Sequence, residues 1–166
     1  MPDEQAPPTD LIPSSMRDEI MAWNDGKGIA LGTWADYNGN FKLAVGYAAF
    51  FWPEFEMIKG YILHKGCPTD SIRSWEKALK GDRRAVQVVL NHWHLDNLHD
   101  HDQENLTHDK LVYIGTKLKE MYSAKLAWQF PEHPCVVEFW HPENTEDYFE
   151  YELTFWQTEW DESGKE

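Results

Sequence analysis

Five of the chain's eight histidines fall between His92 and His108, with Asp96, Asp100, Asp102 and Asp109 interleaved among them. Imidazole nitrogens and carboxylate oxygens are the groups through which proteins hold zinc and similar ions, and imidazole also moves protons near neutral pH. Spacing decides which of them can act together. On an extended segment His92 and His94 point the same way and can share one ion, whereas on a helix residues two apart diverge by about 200° and cannot. The candidate metal ligands are His92, His94, Asp96 and His99, with a looser alternative set of His99, His101 and Asp102.

The run His92-Trp93-His94-Leu95-Asp96-Asn97 resembles the H-x-H-x-D-H signature of the metallo-β-lactamase fold, with Asn97 where that motif ends in histidine and His99 two positions later. The resemblance covers about 25 residues, taking in the segments 71–80 and 85–90 that precede the run. It implies two facing sheets with outer helices, a zinc ion shared by His92 and His94, and a second metal site beginning at Asp96. A metal-dependent hydrolase would use such ions to activate water.

The local pattern of 82–94 favours a different geometry. Asp82 can cap a helix, and Ala85, Val86, Val89, Leu90 and Trp93 then fall on one apolar face, with Arg83, Arg84, Gln87, Asn91 and His94 on or near the polar one. A helix running to Trp93 would part His92 from His94 and leave 98–106 a polar surface loop. The clean apolar stripe and the helix-favouring Ala, Arg, Gln and Leu outweigh the valines, so 82–93 is expected to be helical.

The remaining elements follow from caps, breakers and periodicity. Ser14 or Ser15 opens a helix that runs to about Asn24 and is stopped by Asp25-Gly26-Lys27-Gly28. Asn40 caps a second helix, Phe41 to Trp52, ended by Pro53; it is apolar nearly all round and is therefore expected to be central and buried. Residues 56–63 read as a strand, and 71–80 as a helix ended by Gly81. The longest helix, about His108 to Phe130, presents Leu111, Ile114, Leu118, Met121, Tyr122 and Leu126 at helical spacing. From Cys135 the period changes to two. Cys135–Trp140 and Tyr148–Thr158 form an expected hairpin, with Phe149, Tyr151, Leu153 and Phe155 toward the core and Glu150, Glu152, Thr154 and Trp156 away from it. The sum is an α+β domain, about five helices packed on a small, mainly antiparallel sheet with a C-terminal β-hairpin. Residues 1–14 read as an acidic, proline-bearing tail, 15–160 as a single globular domain and 161–166 as a disordered tail.

Charge narrows the function classes. The formal net charge is −14, and from Glu132 to Glu166 eleven carboxylates face a single lysine, Lys165. Nucleic acid and anionic membranes both demand the opposite field, while a basic protein would be attracted. No apolar run reaches the roughly 18 residues that span a bilayer, residues 1–15 lack the apolar stretch of a signal peptide, and the two cysteines, Cys67 and Cys135, suit a reducing cytosol. His64 with Cys67 and His133 with Cys135 make a zinc-compatible set at an unfamiliar spacing.

Nine tryptophans are unusual for 166 residues, and Trp140 and Trp156 both belong to the non-core face of the acidic hairpin. Either they anchor a partner there, or a helix covers that face and makes Trp156 core. The expectation is a cytosolic, cofactor-free binding or inhibitor module of immunity type. It would neutralise a basic protein partner through Glu138, Trp140, Glu150, Glu152 and Trp156. The alternative is the hydrolase, with zinc or another divalent metal on His92, His94, Asp96 and His99.

Overall fold

The computed structural model describes residues 12–99, 102–143 and 147–161; the expected tails before residue 12 and after residue 161, and His101 of the looser metal set, lie outside them. Among the described residues the chain forms seven α-helices and two small antiparallel sheets, an α+β fold. The helices are α1 (Arg17–Met21), α2 (Trp23–Gly26), α3 (Leu31–Asn38), α4 (Phe41–Phe51), α5 (Thr69–Ala78), α6 (Arg83–Leu90) and α7 (His108–Gln129). The strands are β1 (Phe55–Ile58), β2 (Tyr61–His64), β3 (Trp93–His94), β4 (Cys135–Trp140) and β5 (Glu152–Gln157). Expectation and structure differ first in α3, which has no marked amphipathic pattern to reveal it, and in α2, where Asn24 and Asp25 adopt left-handed φ and interrupt the first helix.

The expected single strand over 56–63 is a hairpin. Lys59 and Gly60 take φ of 53° and 83°, the paired left-handed conformation of a tight two-residue turn, and β1 pairs with β2 across it. Gly60 is needed twice over, because a Cβ there would also lie 2.8 Å from the Arg83 guanidinium.

The second sheet has the order β3-β5-β4, antiparallel throughout. Its inner face packs on α7: Leu153, Phe155, Val137 and Tyr151 meet Leu111, Leu118, Tyr122 and Leu126 in the main core, with Phe55 and Ile62 brought in from the hairpin. The helical stripe expected on α7 is thus the one that is buried. Gly115 allows the close approach, since a Cβ there would lie 2.2 Å from the Phe139 ring.

Among the described residues no ladder joins the two sheets; side-chain amides do. Gln87 Nε2 donates to the Ile62 carbonyl and to Gln157 Oε1, each at 2.9 Å, and Gln157 Oε1 also accepts from Ile62 N. Gln157 N donates in turn to Gln87 Oε1. Asn91 Nδ2 donates to the carbonyls of Ile62 and Phe155 at 3.0 and 3.1 Å. Gln87 and Asn91, expected on or near the polar face of α6, are therefore buried, because they satisfy backbone groups that would otherwise be orphaned between the sheets.

Two further expectations are corrected. Helix α4 is peripheral, not central: Phe41 and Val45 are 92 % and 74 % exposed, and no residue of the helix is fully buried. Its cap is as expected, with Asn40 Oδ1 accepting from Leu43 N at 3.0 Å. Apolar composition did not place it inside because α7 already covers the sheet, and only Tyr47, Phe50 and Phe51 reach inward. At the N-terminal end, Ile12 packs with Ile20 and Ile29, while Ser14 Oγ and Ser15 N donate to Asp109 at the start of α7. The segment 12–14, assigned to the tail by composition, is thereby tied to the domain. Burial raises the Asp109 pKa, but hydrogen bonds from Thr107, Ser15 and Ser14 outweigh it and hold the carboxyl well below its usual range.

Candidate functional site

Helix α6 forms as its pattern predicts, with Asp82 Oδ1 accepting from Ala85 N at 2.9 Å, yet it stops at Leu90. Asn91 leaves the helix with its side chain committed to Ile62 and Phe155, Trp93 stacks on Phe50 at 5.3 Å, and Trp93–His94 enters the sheet as β3. The expectation that a helix parts His92 from His94 is thus overturned by its length. Both histidines lie beyond its end, His94 in β3 and His92 just before it, and their ring centroids are 4.4 Å apart.

Register supplies the third member. His94 pairs with Glu152 of β5, which pairs in turn with Trp140 of β4, so these three side chains share one row of the outer face. His92 Nε2 lies 3.3 Å from Glu152 Oε2, and His94 Nδ1 lies 3.8 Å from Glu152 Oε1. One donor atom from each of His92, His94 and Glu152 can be chosen so that all lie within 4.8 Å of one another, the only such group of three among the described residues. His94 Nδ1 is also 2.7 Å from the Phe149 carbonyl oxygen. A carbonyl can only accept, so Nδ1 carries the proton and the lone pair of a neutral ring resides on Nε2. The Phe149 ring stacks on His94 with centroids 3.8 Å apart and planes 21° from parallel, fixing the imidazole on a second side.

Asp96 and His99 do not join this group. Both lie on the 3-10 turn Leu95–His99, where His99 Nε2 is 2.6 Å from the Tyr47 hydroxyl and Asp96 Oδ1 is buried without a hydrogen-bond partner among the described residues. Burial, and then the charge of Asp102, raise the Tyr47 pKa, so the phenol keeps its proton. The His64/Cys67 and His133/Cys135 set is not assembled either. His64 is enclosed by Phe55, Tyr122 and Phe155, and burial lowers its pKa to about 4.

The residues expected to bind a partner separate into three groups. Glu138 and Trp140 are exposed on the outer face, Trp140 by 49 %. Glu152 shares that face but belongs to the histidine group. Glu150 precedes β5 in the 3-10 turn Tyr148–Glu150 and does not follow the strand alternation; Phe149 in the same turn is exposed, not core. Trp156 is 5 % exposed beneath α6, with the Arg84 guanidinium 4.4 Å from its ring and its indole N–H donated to Asp161 at 2.6 Å. Of the two readings of that face, burial holds for Trp156.

His92 and His94 of the metal set and Glu138, Trp140 and Glu152 of the partner set, separate in sequence, therefore meet on one surface. It is the end of the outer face that α6 leaves uncovered. Alternation already put Glu152 on that face; its alignment with His94 depends on a β3–β5 pairing that no local pattern encodes.

No protein-family model, no curated protein and no solved structure matches the chain. Its helix-dominated architecture, with sheets of two and three strands among the described residues, differs from the two facing sheets that the metallo-β-lactamase resemblance implies. No described helix is long and apolar enough to cross a membrane.

Proposed function

We propose that the protein is a binding module, an inhibitor of immunity type whose partner is a basic protein held on the outer face of the β3-β5-β4 sheet. The observation that carries this reading is Trp140. A large aromatic side chain stands half-exposed on a sheet face with Glu138 two residues before it and Glu152 across from it, in a chain of net charge −14. An amphipathic aromatic anchor ringed by carboxylates suits a surface rich in Lys and Arg: the ring supplies contact area and a cation–π acceptor, and the acids steer encounter. The exposed apolar helix α4 is a second surface of the kind that binding proteins present.

The test is co-purification from the native host at low salt, with the retained protein identified by mass spectrometry and its affinity then measured. A partner of high isoelectric point is expected. Trp140→Ala should weaken its binding by roughly 30-fold or more, in line with loss of an aromatic hot spot. Glu138→Lys should slow association and flatten its salt dependence. A partner bound equally well by both variants, or a partner without a basic surface, overturns the proposal.

A further inference from the structure

We propose that His92, His94 and Glu152 form a binding site for one divalent transition-metal ion of the borderline class, such as zinc or iron(II). This goes beyond the partner-binding reading and does not depend on it, although both use the same face of the sheet.

The ligand chemistry fits. Two imidazoles and one carboxylate are a set that zinc and iron(II) accept, whereas calcium and magnesium call for oxygen ligands. The spacing fits as well. Ligand atoms about 2.0–2.2 Å from one tetrahedral ion lie roughly 3.3–3.6 Å from each other. Here His92 Nε2 lies 3.3 Å from Glu152 Oε2, the two imidazole rings have centroids 4.4 Å apart, and one donor atom from each of the three residues lies within 4.8 Å of the others, a spread that side-chain rotation can close. The strands hold part of the geometry: β3 is paired to β5 at Trp93↔Leu153 and His94↔Glu152, which sets His94 beside the carboxylate, and His92, just before β3, reaches Glu152 at 3.3 Å.

The support around the ligands points the same way. A metal-binding histidine commonly donates its other ring N–H to a carbonyl or carboxylate, which sets the tautomer and the ring orientation. His94 makes this bond, from Nδ1 to the Phe149 carbonyl at 2.7 Å, and the stacked Phe149 ring restrains it further. His92 and Glu152 keep about a third of their side-chain surface, so an ion can enter from solvent. Three protein ligands leave at least one coordination position for water or for an exogenous group, an open site rather than a closed structural one. The ligand set departs from the motif that the sequence resembles, since Glu152 comes from a different strand nearly sixty residues away and Asp96 and His99 are not part of it.

The test uses the full chain, untagged and purified without a nickel column, stripped by chelator and dialysed. Zn²⁺ is titrated by calorimetry and Co²⁺ by visible absorption. One ion per chain with a Kd below about 10 μM is expected, and cobalt should show the d–d bands of a four- or five-coordinate site. His92→Ala and His94→Ala should each weaken binding by about 100-fold or more, and Glu152→Gln, which keeps the shape of the side chain, by at least about 10-fold. His99→Ala should leave it unchanged, which separates this site from the adjoining polar loop. Far-ultraviolet circular dichroism checks that each variant is folded; should a histidine variant fail to fold, Glu152→Gln decides. The proposal is overturned if binding is weaker than this or lacks 1:1 stoichiometry. Loss of binding in His99→Ala with retention in Glu152→Gln would overturn it too.

Discussion

Along residues 151–155 one strand serves two environments. Tyr151, Leu153 and Phe155 point into α7 and are buried, while Glu152 points the opposite way, toward His92 and His94, and remains within reach of solvent. The inner face is a closed apolar layer with rings in edge contact, Phe155 lying 5.0 Å from Phe55 and 6.5 Å from Tyr122. The outer face is divided: α6 covers the Trp156 end, and the Glu152–Trp140 end is open. A period of two guarantees that the faces differ in polarity. It does not say which stretch of the polar face will be left bare, and that is where a ligand or partner can reach.

Under the proposed function, stability resides on the inner face and recognition on the outer. The strongest way to break it is Phe155→Ala, which removes a fully buried ring at the centre of the core. It should cost about 3–5 kcal/mol in urea unfolding, and a loss below about 1 kcal/mol would mean that α7 and the sheet are not the main core.

A pH series sharpens the same contrast, because His64 sits against the inner face with its pKa lowered by burial to about 4. In the unfolded chain its pKa returns to near 6.5. Between these values the unfolded state binds a proton that the folded state refuses, so stability is full above about pH 6.5 and is lost as pH falls toward 4. The share from this one residue should approach about 3 kcal/mol at the lower end. Comparing urea midpoints of the wild type and His64→Leu from pH 7 to 4 isolates it: the wild-type curve should fall more steeply, and parallel curves would contradict the burial. The smallest effect belongs to the open end of the outer face. Trp140→Ala should leave the unfolding free energy within about 0.5 kcal/mol of the wild type. A larger loss would place Trp140 in a structural role and weaken its claim as a partner anchor.

Much of this was legible in the residues themselves. The caps at Asn40 and Asp82, the buried stripe of α7, the strand Cys135–Trp140 and the inward set Tyr151, Leu153 and Phe155 are all local patterns that the fold obeys. The misjudged features share a different character. Residues 56–63 looked like one strand because Lys59-Gly60 is a turn only once its two arms find each other. Gln87 and Asn91 looked like surface residues because their use, bridging two sheets, depends on Ile62, Phe155 and Gln157 far along the chain. The candidate site follows the same rule. The His-x-His spacing could be read directly, whereas Glu152 could be read only as an acid on an outward face.

Local pattern alone gave the class of fold, the starts of the helices capped by Asn40 and Asp82, the inward set Tyr151, Leu153 and Phe155, and the concentration of histidines near residue 94. These depend on hydrogen bonds and side-chain periodicity over a few residues, and any such segment expresses them wherever it lies. Only the tertiary structure decided that α6 ends at Leu90, that His94 stands opposite Glu152, that Trp156 is covered while Trp140 is not, and that the most apolar helix, α4, lies outside. Those outcomes come from competition among distant segments for the same few surfaces. Burial goes to the element that covers the sheet best, and hydrogen bonds go to whichever backbone would otherwise be left unpaired.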